Sequence, residues 1–255
     1  MTKPILAWPG GKRRLADKLL PLFYNPHHTY CEPFAGGAAL LFARPEPAKL
    51  EVLNDINGDL INLYRVVQHH LDEFVRHFRW ALASRQLFEW AKIQRPETLT
   101  DIQRAARTFY LHKCAFGAKV HHQAFGVSNS QPVRLNLLRI EEDLSAAHLR
   151  LARVTMESIP WFDCVNYYDT AETLFFLDPP YWKTEGYGVP FGMEQYELLA
   201  YSMRQMKGKA LLTVNDHPVM RKAFAGFKIN TVGIKYTLAA KAKPKQSSEL
   251  IIRNY

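Results

Sequence analysis

The feature that most restricts this chain is a short apolar run, Leu174-Phe175-Phe176-Leu177, that stops at once in Asp178-Pro179-Pro180-Tyr181. Consecutive large apolar residues without alternation suit a strand covered on both faces, and such strands belong to parallel sheets flanked by helices. The two prolines remove two backbone donors and fix φ, and each pushes the residue before it toward extended geometry. The chain therefore leaves the strand through a rigid corner that carries a carboxylate, fixed carbonyls and an aromatic ring. In open α/β sheets, ligands bind at that edge. A strand-ending turn with a half-buried tyrosine is the plainer alternative.

The amino-terminal part has the matching rhythm. Thr29 to Glu32 reads as a strand, Phe34-Ala35-Gly36-Gly37 as a small-residue turn, Ala38 to Arg44 as a helix, and Lys49 to Asn54 as a second strand ending at Asp55. Strand, turn, helix, strand is a βαβ unit, which implies a parallel sheet. Glycines after a strand let backbone approach a ligand, the next helix offers free N–H groups, and an acidic residue about 20 positions on can hold a ribose. Glu32-Pro33-Phe34-Ala35-Gly36-Gly37-Ala38 and Asp55 fit that description, although adjacent glycines depart from G-x-G-x-x-G. A tight turn without a ligand stays open at this point.

Helical spacing dominates the middle: Leu60 to Arg85, Asp101 to Lys113, and Ile140 to Val154. Between the last two, Cys114 to Pro132 reads as loop or hairpin. The α/β rhythm returns near Thr155, with helices over Glu194 to Met206 and Val219 to Ala225 and strands over Ala210 to Val214 and Leu250 to Ile252. The expected fold is α/β: a Rossmann-like domain built from residues 1–56 and 152–255, with a mostly helical insertion over 57–151.

Composition bounds the function. Lys and Arg number 33 against 24 Asp and Glu, a net charge of +9, which favours a polyanionic partner or simply keeps the chain dispersed. Cys31, Cys114 and Cys164 are too few and too scattered for a disulfide framework or a zinc site, and fit a reducing compartment. The adjacent pairs His27-His28, His69-His70 and His121-His122 lack the spacing of a metal site. Neither a signal peptide nor a membrane span is expected. The chain reads as cytosolic.

The order and wording of the motifs carry a resemblance. Asp178-Pro179-Pro180-Tyr181 resembles the catalytic signature of the Dam-type (DPPY-motif) N6-adenine DNA methyltransferases, and Glu32 to Gly37 resembles their cofactor loop. Trp8-Pro9-Gly10-Gly11-Lys12 is similar to that subfamily's amino-terminal motif, and Asn54-Asp55-Ile56-Asn57 to its acidic strand end. The four motifs stand in the family's order and span nearly the whole chain.

The resemblance implies an S-adenosyl-L-methionine-dependent methyltransferase acting on double-stranded DNA, without a metal, as a monomer or weak dimer, in a bacterial cell or phage-infected host. It implies that Trp8 to Lys12 meet the cofactor's methionine end, with Lys12 facing its carboxylate, and that Phe34 to Ala38 wrap its backbone. Asp55 would take the ribose and Ile56 the adenine ring. Phe162-Asp163-Cys164 resembles the segment that accepts the adenine amino group; Asp163 as a helix N-cap is the alternative. Asp178 and the Pro179 carbonyl would hold the N6 amino group of an extruded adenine, with Pro180 fixing the corner and Tyr181 stacking on the base. Lys113, Lys119, His121, His122, Gln123 and Asn129 in the insertion, and Lys241, Lys243 and Lys245 in a basic stretch that begins at Lys235, are candidate DNA contacts or a solvated charged loop. His112-Lys113-Cys114 stands where the family carries an Asn-Arg-Tyr type pattern, so the recognised sequence stays open. N4-cytosine or other amino-group methylation, and a catalytically silent DNA-binding relative, are the alternative functions.

Overall fold

The computed structural model describes residues 2–118, 120, 123–127, 135–183, 190–236 and 245–255. A seven-stranded sheet forms from β1 (Thr29–Glu32), β2 (Leu50–Asn54), β3 (Val154–Glu157), β4 (Thr173–Leu177), β5 (Lys209–Asn215), β6 (Lys228–Tyr236) and β7 (Lys245–Arg253), in the order β3-β2-β1-β4-β5-β7-β6. The first five strands are mutually parallel, and β7 runs antiparallel to both β5 and β6. The order reverses between β1 and β4, so their carboxyl ends open the crevice that doubly wound sheets use for ligands.

Ten helices accompany the sheet among the described residues: α1 (Ala16–Leu19), α2 (Ala39–Ala43), α3 (Gly58–His69), α4 (Leu71–Arg76), α5 (Arg85–Ile93), α6 (Asp101–Cys114), α7 (Ile140–Leu151), α8 (Trp161–Tyr168), α9 (Met193–Gln205) and α10 (Pro218–Ala223). Their starts follow local chemistry. Asn57 caps α3 by accepting from Asp59 and Leu60 N–H, and Thr100 with Gln103 closes a capping box on α6.

Alternation along each strand divides the core into two layers. Tyr30, Leu53, Leu174 and Phe176 point into one cluster with residues of α3, α6 and α7; Cys31, Val52, Phe175 and Leu177 point into the other with α8, α9 and α10. The helices of 57–151 thus share one cluster with the sheet. Several expected elements shift. The helical pattern through Arg85 is broken into α3, α4 and, from Arg85 onward, α5; α7 stops at Leu151, and the chain to Glu157 becomes the edge strand β3. β6 adds an edge strand, and Lys235 lies within it rather than in a loop. An isolated antiparallel bridge joins Ala115 to Phe125. No helix among the described residues is long and apolar enough to cross a membrane.

Candidate active site

At the reversal point the turn after β1 and the corner after β4 line one cavity of about 280 Å³. The turn is tied down at each step. Asp55 Oδ2 accepts from Gly36 N–H at 2.9 Å while Oδ1 accepts from Asn57 N–H at 2.9 Å, so one carboxylate joins the β1 turn to the β2 end. Burial raises the Asp55 pKa, and the two N–H donors pull it back. Tyr64 donates its hydroxyl to the Gly36 carbonyl at 2.7 Å. Buried Asn54 donates to the Pro33 and Ile159 carbonyls at 2.9 and 3.0 Å. Gly36 has φ of 47°, and a Cβ there would stand 2.8 Å from Trp8 Nε1, so both its conformation and its neighbour demand glycine. Glu32, 1% exposed, accepts from Tyr30 hydroxyl and Leu41 N–H; burial pushes its carboxyl up to about 7 despite those donors.

The corner after β4 is organised around one oxygen. Lys12 Nζ lies 2.8 Å from Asp178 Oδ1 and donates to the Gly10 carbonyl, and Thr213 on β5 donates to the same Oδ1 at 2.8 Å. No described residue donates to Oδ2 or to the Pro179 carbonyl. Burial raises the Asp178 pKa, and the Lys12 charge and the two hydrogen bonds lower it in turn. The Lys12 ammonium also stands 4.7 Å from the Tyr181 ring centroid, covering one side of that buried ring. Tyr196 donates to the Pro180 carbonyl, fixing the corner from α9.

Trp8, Pro9, Gly11 and Lys12, the turn from Glu32 to Gly37, Asp55, Ile56, Asp178 and Pro180 all line this cavity, and Gly10 holds Lys12 from behind. Ala38 is buried in left-handed geometry at the start of α2, behind the lining. The segment Phe162-Asp163-Cys164 is placed otherwise. α8 starts at Trp161 after Pro160, so Asp163 lies inside the helix and is no N-cap; its side chain is exposed, while Cys164 is buried against Cys31 at 3.7 Å. Pro160 and Trp161 reach the cavity instead, and Trp161 stacks on Phe34 at 5.9 Å. Thr213, Trp161, Phe191 and Gln195 belong to the site without any motif pointing to them; the one legible signal is an aromatic residue at the start of a helix.

The DNA candidates are less gathered. Lys113 lines a second cavity, Gln123 is half-buried beside the Ala115–Phe125 bridge, and Lys245 begins β7. Lys119, His121, His122, Asn129, Lys241 and Lys243 lie outside the described residues.

The family model for D12 class N6 adenine-specific DNA methyltransferases matches residues 8–238. The type II methyltransferase M.CviBI of Paramecium bursaria Chlorella virus NC1A is 25% identical over 262 residues, covering 99% of this chain and 100% of that protein. A DNA adenine methylase of Haemophilus influenzae is 27% identical over 259 residues, covering 93% of this chain and 88% of its own length. A solved putative methyltransferase complexed with SAH aligns at a TM-score of 0.39 and 11% identity, over 96% of this chain and 52% of that one, a likeness too loose to bear on function.

Proposed function

The chain belongs to the D12 class of N6 adenine-specific DNA methyltransferases, and from that membership we propose that it methylates N6 of an adenine extruded from double-stranded DNA into the cavity between the β1 and β4 ends. Residues 57–151 are assigned to target recognition and the sheet with its other helices to catalysis. The enzyme acts in the cytoplasm of a cell or phage-infected host.

The lining suits S-adenosyl-L-methionine. The Asp55 carboxylate stands at a strand end where a ribose diol can donate to it. Half-exposed Ile56 and the Phe34–Trp161 stack offer apolar surface for a purine. Glu32, Asp55 and Asp178 bring three carboxyl groups against the single ammonium of Lys12, an environment that favours a sulfonium cation. When bound, that cofactor supplies the methyl group.

The remaining work falls to the protein. Asp178 Oδ2 and the Pro179 carbonyl accept the two N–H bonds of the adenine N6 amino group. Those bonds draw the nitrogen lone pair out of conjugation with the ring and aim it across the cavity. Pro179 and Pro180 fix the corner so that little reorganisation accompanies reaction. Lys12 occupies Oδ1, and its charge opposes the upward push of burial on the Asp178 pKa. The observation carrying this reading is that both described donors converge on Oδ1 and leave Oδ2 to the substrate. Incubating the purified protein with DNA and cofactor, then resolving the nucleosides by mass spectrometry, should yield N6-methyladenine. Finding only 4-methylcytosine, or no methylated nucleoside, overturns it.

Thr213 acts through Asp178. Thr213→Val keeps the shape but removes a hydrogen bond to a carboxylate, so kcat should fall by about tenfold, the equivalent of one such bond. Activity needs the carboxylate and is lost as pH falls through its folded pKa. Losing a donor raises that pKa further, so the acid limb of the rate profile moves to higher pH. Thr213→Ser should restore both. An acid limb that stays put in the valine variant refutes the positioning role.

A further inference from the structure

A second cavity of about 640 Å³ adjoins the first and shares Trp8, Gly11, Gly37 and Ala39 with it, so the wall between them is little more than the Trp8 ring and the glycine turn. That wall is braced from behind, because His112 on α6 stacks on Trp8 at 5.3 Å and 19°. The two cavities have opposite charge. The first has three carboxyl groups and one ammonium; the second has Lys3, Arg13, Arg14 and Lys113 against the single carboxylate of Asp143.

The opposition arises within three consecutive residues. Lys12 is 3% exposed and turned inward to Asp178, while Arg13 and Arg14, in the same 3-10 turn (Lys12–Leu15), are exposed. Among the described residues neither guanidinium has a hydrogen-bond, ion-pair or ring partner. Arginines left unpaired beside a concave surface match phosphate oxygens in geometry and charge. A polyanion is repelled by the first cavity and attracted by the second, whereas a cationic cofactor experiences the reverse.

We propose that this basic groove, with Arg13 and Arg14 as its phosphate contacts, holds the DNA backbone beside the extruded nucleotide. The inference rests on the methyltransferase reading and extends it. Arg13, Arg14 and Lys12 lie on one short turn, so backbone binding fixes the ammonium that holds Asp178. Phosphate contacts position the duplex without reading its sequence, so these arginines raise affinity on all DNA alike.

The test compares wild type with the double variant Arg13→Gln, Arg14→Gln, using a fluorescently labelled duplex titrated at several salt concentrations. The variant should bind on the order of tenfold more weakly, and its log–log salt slope should be shallower by about two. Cofactor affinity, measured by calorimetry without DNA, should be unchanged, which shows that the first cavity is intact. A second double variant, Lys207→Gln, Lys228→Gln, removes the same charge near the amino ends of β5 and β6, at the end of the strands opposite the cavity, and should cost much less. Wild-type affinity and slope in the arginine variant overturn the groove while leaving the methyltransferase reading intact, provided wild type methylates DNA. Equal losses in both variants overturn it too, since only bulk charge would then matter. A wild-type protein that neither binds nor methylates DNA removes the parent reading and this one together.

Discussion

Asp178→Asn abolishes methyl transfer, with kcat lowered by about 10³-fold or more, while cofactor binding persists. An amide in place of the carboxylate loses the charge that polarises the N6 amino group, and its NH₂ cannot accept a bond where Oδ2 did. Preorganised acceptors and donors of this kind are each worth about 10²–10³ in rate, and a positioned acid–base group up to about 10⁴. The fold is at risk as well, because Lys12 is 3% exposed and would lose its counter-charge, keeping only neutral acceptors, the remaining amide oxygen and the Gly10 carbonyl, beside the Tyr181 ring. A buried charge stripped of its counter-ion costs about 3–5 kcal/mol. The double variant Asp178→Asn, Lys12→Met separates the two effects: it recovers stability and remains inactive. Melting curves with and without S-adenosyl-L-methionine supply the binding readout, and single-turnover methylation supplies the rate. An asparagine variant that transfers methyl at the wild-type rate removes Asp178 from the chemistry.

How much of this was legible in the sequence depended on where each element lies. β1, β2 and β4 are central strands buried on both faces; β4 is written as an apolar run closed by turn residues, whereas β1 and β2 carry polar positions and are legible from the glycine turn and short helix between them. β3 is an edge strand with only Val154 buried, so its four residues carry no pattern that separates them from the end of α7. β6 begins Lys228-Ile229-Asn230-Thr231 and has Gly233 near its middle, which weakens the strand signal. Within the site, spacing exposed the residues fixed by their own backbone: Gly36 by its positive φ, Asp55 by ending a strand, Asp178 by the prolines after it. It could not expose partners distant in sequence. Thr213 and Lys12 meet at Asp178 through sheet order, which is a tertiary fact. For Asp163 the N-cap alternative fails, because α8 begins two residues before it and places it inside the helix with its side chain exposed.

Arg150→Met should lower the unfolding free energy by about 3–5 kcal/mol, the usual cost of breaking a buried ion pair from one side. Arg150, on α7, donates through Nη1 and Nη2 to both oxygens of Glu51 on β2, and through Nε and Nη2 to the Leu41 carbonyl at 3.2 and 3.0 Å. Glu51 is 4% exposed and keeps only Arg44, at 3.1 Å, and the Ala48 N–H when Arg150 is removed. The loss is a large share of the roughly 5–15 kcal/mol that holds a typical domain together. For a chain of this size it corresponds to about 10 °C in melting temperature. The same cluster links stability to function. Leu41 belongs to α2, the helix that follows the cofactor turn, and Leu41 N–H also holds Glu32, which lines the cavity. Loosening α7 from α2 therefore frees one end of the turn, and KM for the cofactor should rise more than kcat falls. Glu51→Leu combined with Arg150→Met leaves no carboxylate buried without its guanidinium but strands Arg44 on His27 and the Tyr30 ring, so it should regain only part of the lost stability. Chemical denaturation of the two single variants and the double variant closes the cycle. A single-variant loss below about 1 kcal/mol, or a double variant no better than the sum of the singles, would show that this cluster is not what binds the insertion to the sheet.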